Sequence, residues 1–285
     1  MANVIALAQA YLADPNNLNE VYKAASKTAD LEATTFQWLG GDTVKMPLDT
    51  FDAAGLGTYN RSTGFVALDV DRTWDTYQLS QDKGNKVLVD RLDMDESLME
   101  NGIISVANKY VRKVVVPAVD TYRFSKLVAG AGTTKLHTAS TTDNTITSSN
   151  VIAKLDEAFQ TQAENEVEGD KILYVTPAVK FALEQALDKK VVYGMWGGDA
   201  TVKVEIYRDA KIVEVPASRL GTNINFILVT RNSIASIVRH QNAVFWAPGQ
   251  VPGLDAGQID YRVRYDLFVI ANRAKGIYVS KAALA

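Results

Sequence analysis

The chain contains no cysteine. That removes disulfides, thiol nucleophiles and cysteine-based zinc sites together, and it fits folding in a reducing cytoplasm. Histidine is scarce as well. His137 and His240 lie far apart, neither sits in a serine or cysteine nucleophile pattern, and a structural role outweighs catalysis for both. No apolar run approaches the length of a membrane span. The first residues lack the basic region of a secretory signal, and their apolar run breaks at Gln9. A basic excess is missing too: the net charge of -3 argues against a dedicated nucleic-acid binder, while permitting weak contact through a local basic patch. Internal repeats and low-complexity tracts are absent.

Several segments that resemble chemical motifs lack the defining spacing. Residues 129–135, Ala-Gly-Ala-Gly-Thr-Thr-Lys, miss the G-x-x-x-x-G-K-[ST] pattern and follow a helix where a phosphate loop would follow a strand. They read as a helix stop. Trp196-Gly197-Gly198-Asp199 reads as a loop without a dinucleotide fingerprint. Asp69, Asp71, Asp90, Asp93, Asp95 and Glu96 lack the glycine and terminal glutamate of a calcium loop, so solvation and helix capping account for them better. Neither a metal, a cofactor nor a catalytic residue is expected.

What is present is 285 residues, 47% hydrophobic and 22% charged, enough for a sizeable core in one or two domains. The most informative stretch is 95–128, where Met99, Ile103, Val106, Tyr110, Val114 and Tyr122 recur at helical spacing, with Val111, Val115 and Leu127 widening the stripe. Such a helix spans roughly 50 Å, far beyond the usual three turns or so. Asp93-Met94-Asp95-Glu96 has the form of a capping box. Pro117 lies inside the stretch and predicts a kink or break near 114–116.

Around this helix the chain changes character. Residues 1–40 carry a turn at 14–17 and a short amphipathic helix through Val21, Ala24, Ala25 and Thr28, with too little apolar mass for a private core. Residues 43–47 read as a strand, followed by a region rich in Gly, Asn, Ser and Thr. Residues 74–80 and 86–92 then read as two strands of a hairpin around a five-residue turn, 81–85. Residues 133–149 read as a loop or weak hairpin. Beyond them the pattern is α/β: a helix over 151–162, a strand at 171–175, a helix from Pro177 to about Leu187, and strands near 202–207, 210–215 and 226–229. The last third is extended over 234–239, 243–246 and 259–270, with a turn at 272–276 leading into 277–279. In 259–270, Tyr261, Val263, Tyr265, Leu267 and Val269 face one way, and Asp260, Arg262, Arg264 and Asp266 the other.

This order of parts resembles the major capsid proteins of tailed bacteriophages, the Hong Kong 97-type fold. The likeness is carried by residues 116–126, Val-Pro-Ala-Val-Asp-Thr-Tyr-Arg-Phe-Ser-Lys, similar to the end of the family's spine helix. It is carried also by 261–266 with 273–279, similar to its closing strand and turn. The resemblance implies an α+β fold in five segments: an N-terminal arm (1–40), an extended β-hairpin loop (41–93), a peripheral domain with the spine helix (94–148), an axial domain (149–230), and closing peripheral strands (231–285). It implies a non-enzymatic protein that forms hexamers and pentamers tiling an icosahedral shell around double-stranded DNA. Assembly is expected in the host bacterial cytoplasm, with no membrane and with the virion as destination. A long N-terminal scaffolding extension has no room here, which suggests a separate scaffolding protein or a terminus already cut, the Met1 start favouring the former; portal and decoration proteins are further expected partners.

On this reading the loop's Trp74, Tyr77 and Lys83 and the charged row Asp260, Arg262, Arg264 and Asp266 are expected at subunit interfaces. Lys109, Arg112, Lys113, Arg123 and Lys126 are candidates to face the lumen and its DNA, with pairing to acidic residues of neighbouring subunits slightly favoured over that role. Three rivals remain. One is an encapsulin-like nanocompartment shell, another a tail or baseplate component, and the third a soluble α/β enzyme built on 149–230, which would need a concave polar pocket.

Overall fold

The computed structural model describes residues 11–12, 14–32, 37–38, 43–51, 58–62, 64–65, 70–91, 102–136, 146–187, 193–195 and 203–282. The capping box at 93–96, Met99, His137 and the loop at 196–199 lie outside them, as does the side chain of His240. The chain divides into two units, one of residues 1–32 with 81–285 and one of residues 33–80.

In the first unit, α1 (Pro15–Ala25) puts Leu18 and Tyr22 into the core, beside Leu12 just ahead of it. They pack on the long helical run, so this N-terminal segment buries its apolar face within its own subunit rather than only on a neighbour. The run comprises α2 (Gly102–Tyr110), a π turn (Val111–Val115) and α3 (Val116–Ala129). The expected break at Pro117 is met by the π turn. Proline cannot donate to the preceding turn and its ring crowds the carbonyl four residues back. The wider turn, in which the Val116 amide bonds to Val111 O, passes it without ending the helix. That winding also shifts the stripe: Ala107, Val111, Val115 and Val119 are buried, whereas Val114 points outward at 47% exposure. At the end of α3, Gly130 and Gly132 confirm the helix stop. A Cβ on Gly132 would lie 2.5 Å from the Ala274 backbone, so close packing is what requires glycine.

In the second unit, β1 (Gln37–Trp38), β2 (Thr43–Phe51) and β3 (Val70–Gln78) form one antiparallel sheet, with β2 in the middle. The extended hairpin therefore exists, but it is β2–β3, with Val44 opposite Tyr77 and Pro47 opposite Trp74. The expected turn at 81–85 is instead the start of β4 (Gln81–Asp90), which belongs to the first unit. Gly84 reads as a turn signal in isolation. Here it lets β4 lie close on its neighbour, since a Cβ would stand 2.9 Å from Tyr261 O.

The α/β segment follows the expected order closely: α4 (Val151–Glu164), β6 (Lys171–Val175) and α5 (Pro177–Ala186), then β7 (Tyr193–Met195), β8 (Lys203–Tyr207), β9 (Ala210–Glu214), α6 (Ala217–Leu220) and β10 (Ile224–Thr230). Its sheet is completed from outside by β5 (Thr133–Leu136), read from the sequence as loop or weak hairpin, and by β13 (Ile277–Lys281). The strand order is β5-β13-β10-β6-β9-β8-β7. The two extended stretches at 234–246 are one strand, β11 (Ile234–Trp246), with an irregularity between Val238 and His240. It pairs with β12 (Ala256–Val269), which pairs in turn with β4. The alternation expected on β12 is present: Tyr261, Val263 and Tyr265 are buried beneath the long helix, while Arg262 is exposed.

Candidate functional site

The sheet β11-β12-β4 turns one face to the helix and the other outward, and the outward face carries the charged row. Register places Arg264 opposite Asp82 and Arg262 opposite Gly84. With no side chain at Gly84, Arg262 reaches diagonally to Asp82, donating from Nε at 2.8 Å and from Nη2 at 2.5 Å. Arg264 Nε lies 3.2 Å from the same carboxylate. Asp82 thus gathers both arginines within one subunit. It was missed in the sequence because a turn reading of 81–85 gave it no partner across a strand. Asp260 accepts from Trp246 Nε1 at 2.8 Å and from Gln258 Nε2 at 2.6 Å. Asp266 does not join the outward row. It is buried, and its Oδ1 accepts from Tyr122 Oη and from the Leu267 amide, each at 2.8 Å. The Tyr122 hydroxyl, reaching from α3, gives this buried carboxylate a partner away from solvent.

Trp74 is exposed on β3, and Tyr77 is half-buried with its hydroxyl 3.4 Å from Asp75. Lys83 is exposed on β4 at the rim of a groove of about 240 Å3, whose lining includes Tyr110, Val114, Ala118 and Val263. Lys109, Arg112 and Lys113 are exposed along the long helix, at the three- and four-residue spacing that puts them on one face. Lys126 is half-buried with its ammonium 5.5 Å from the Tyr122 ring centroid.

Arg123 departs from that basic group. It is fully buried and donates to Thr28 Oγ1 and Glu32 Oε1, each at 2.9 Å. One turn before it, buried Asp120 accepts from Ser26 Oγ at 2.8 Å, Thr28 Oγ1 at 2.7 Å and the Lys27 amide at 3.1 Å, with Arg219 at 3.5 Å. A charge this deep persists only when paired. The pairing clasps residues 26–32 to α3, and it takes Arg123 away from any DNA-facing surface. Burial raises the Tyr22 phenol beside this clasp above its ordinary range, with the Arg123 charge pulling the other way.

A concavity of about 760 Å3 lies in the α/β segment between Asp156, Phe159, Lys171, Arg208 and Asp209. Its charged groups occupy one another: Asp156 takes Tyr207 Oη at 2.8 Å and Arg208 Nε at 3.0 Å, and Lys171 meets Asp209 at 2.7 Å. Burial, followed by the bond to Asp156, raises the Tyr207 phenol. Among the described residues, no group of three or more metal-ligating side chains occurs.

No family model and no curated protein matches the chain. Solved structures do. The capsid structure of the cyanophage P-SCSP1u aligns at TM-score 0.62 with 13% identity, covering 90% of this chain and 87% of that one. A subunit of the bacteriophage PhiM1 mature capsid aligns at 0.56 with 11% identity over 83% and 81%. The virus-like particle from Pyrococcus furiosus aligns at 0.60 with 13% identity over 93% and 96%. Each alignment covers most of both chains, and the chain has the Hong Kong 97-type capsid fold.

Proposed function

We propose that this chain is the major capsid protein of a tailed bacteriophage, self-assembling into hexamers and pentamers that form an icosahedral shell around double-stranded DNA. The observation that carries this is the end-to-end likeness to phage capsid subunits, with most of both chains covered. The distribution of surfaces supports it. Trp74, Tyr77 and Lys83 with the Asp260–Arg262–Arg264 row supply subunit contacts, in which paired charges set register more than affinity. Lys109, Arg112 and Lys113 present the basic face available to packaged DNA, without sequence readout. The arm, peripheral and axial segments follow the resemblance, with the loop ending near residue 80, before β4, and a separate scaffolding protein, a portal and a decoration protein complete the partners.

A second reading, a nanocompartment shell enclosing protein cargo, is favoured by the likeness to the Pyrococcus furiosus particle. Electron microscopy of the protein expressed with its neighbouring genes decides the matter. Closed shells containing DNA support the phage reading, shells filled with a co-expressed enzyme support the second, and dispersed monomers refute both. Deleting residues 50–80 should leave a folded chain that no longer closes shells, whereas normal particles would refute the role given to the hairpin.

A further inference from the structure

Exposed cations of the first unit gather along one seam. α1 packs on the long helical run, sharing a core of Leu18, Tyr22, Val111 and Val115. The stretch after α1 stays on the same helix, where the Lys27 amide donates to Asp120 Oδ2 at 3.1 Å. Lys23 follows Tyr22 in sequence and Arg112 follows Val111, so each of these cations stands beside a residue that closes the seam. Lys23, Lys27, Lys109, Arg112 and Lys113 are all exposed, and among the described residues none of the five has an acidic partner. The exposed acids of the N-terminal segment, Asp14 and Glu20, both precede Lys23.

In a chain of net charge -3, unpaired cations brought together from two elements form a local basic surface against the overall balance. Four of the five are lysines, compact point charges suited to phosphate. A carboxylate partner is matched better by the planar fork of arginine. From Lys109 to Asp120 the helical run rises about 16 Å, half of the roughly 34 Å in one duplex turn. One stretch of phosphate backbone therefore reaches cations of both elements.

We propose that Lys23 and Lys27 join Lys109, Arg112 and Lys113 in one face that binds the phosphates of duplex DNA, and that DNA bound there fastens the N-terminal segment to the long helix. The proposal rests on the shell reading above and extends its basic face to a second element. The fastening follows from linkage. A ligand that contacts both elements binds best while they are together, so it stabilises the docked segment. Residue 27 joins the two effects: its backbone amide bonds inward to Asp120 while its side chain stands in solvent.

Fluorescence anisotropy of a labelled duplex of about 30 base pairs with the dispersed subunit, read from about 50 to 200 mM salt, tests this. Five phosphate contacts give a slope of about -4.5 in log affinity against log salt, a loss of roughly 500-fold over that range. Lys23→Ala with Lys27→Ala should bring the slope to about -2.7 and the loss to roughly 40-fold, and two duplexes of unrelated sequence should bind alike. Both substitutions keep the backbone amides, so circular dichroism should not change. Arg273→Ala with Lys275→Ala, exposed on the turn at 271–276, should leave the slope as it is. Saturating duplex should also slow proteolysis near residues 26–36 in the parent chain and not in the Lys23→Ala, Lys27→Ala chain. A parent chain that does not bind near 50 mM salt, a slope that the first pair leaves unchanged, or one that both pairs lower equally overturns the inference. So does polyglutamate that competes as well as duplex at equal charge, which would make the occupant an acidic protein segment. Those outcomes leave the shell reading standing, whereas a parent chain that forms neither shells nor rings with its neighbouring genes overturns both.

Discussion

Replacing Arg123 by methionine keeps the length and most of the apolar stem of the side chain while removing its charge, which isolates the clasp on residues 26–32. The guanidinium is fully buried, and its loss leaves Glu32 without the partner at 2.9 Å and takes one of the donors from Thr28. Breaking a buried pair by deleting one partner costs about 3–5 kcal/mol. The lower end applies here, because the Glu32 side chain retains 18% exposure and can turn to water. About 3 kcal/mol corresponds to a fall in Tm of roughly 5 °C for a chain of 285 residues, with about 2.1 cal/mol/K of unfolding entropy per residue. Scanning calorimetry of the dispersed subunit reads that shift. Limited proteolysis adds location, since cleavage should appear first near residues 26–36, and Glu32→Gln on top of Arg123→Met should cost little more. A loss below about 1 kcal/mol, or cleavage that starts elsewhere, would refute the claim that this pair fastens the segment.

Three further outcomes follow from the packing. Gly132→Ala should destabilise by about 1–3 kcal/mol in denaturant titration, because its Cβ would press on the Ala274 backbone rather than on a side chain able to turn away; an unchanged midpoint would mean that the contact opens freely. Arg262→Glu with Arg264→Glu should impair assembly more than folding, since the outward cluster on Asp82 is solvent-facing and exposed pairs are worth about 0–1 kcal/mol each; sedimentation beside circular dichroism separates the two. Burial holds the phenols of Tyr22, Tyr174 and Tyr278 above their ordinary range, with Glu157 adding to the effect at Tyr278. The unfolded chain therefore loses these protons first, near pH 10 or so. Their stabilising contribution is complete below that pH and is lost as the pH climbs through the folded values. Phenolate absorbance from the three should rise together with loss of the folded dichroism signal, and not before it.

Legibility in the sequence tracked how local the deciding interaction was. The alternation on β12 and the starts of α4 and α5 were readable because neighbours in sequence decide them. Pro117 announced a discontinuity, but whether it becomes a break or a π turn depends on how the core holds both sides of it. Gly84 misled for the same reason: its meaning lies in Tyr261, on a strand far along the chain. Arg123 was grouped with surface lysines since nothing beside it shows that Thr28 and Glu32 come to meet it. Asp82 and the outward turn of Val114 carried no local signal at all.

The sheet of the α/β segment draws its strands from separated stretches of chain, and β13 fills the place between β5 and β10. During synthesis, β5, β6 and β10 emerge well before the strand that joins them. At about 5–20 residues per second, the 231–276 stretch between β10 and β13 takes roughly 2–9 seconds to make. Through that interval β10 presents an open edge with Phe226, Ile227, Leu228 and Val229 still lacking their final cover. The chain thus passes through a state with an open apolar strand edge while still attached to the ribosome, and yield in the cell should respond to chaperone supply and growth temperature before it responds to the stability of the finished chain.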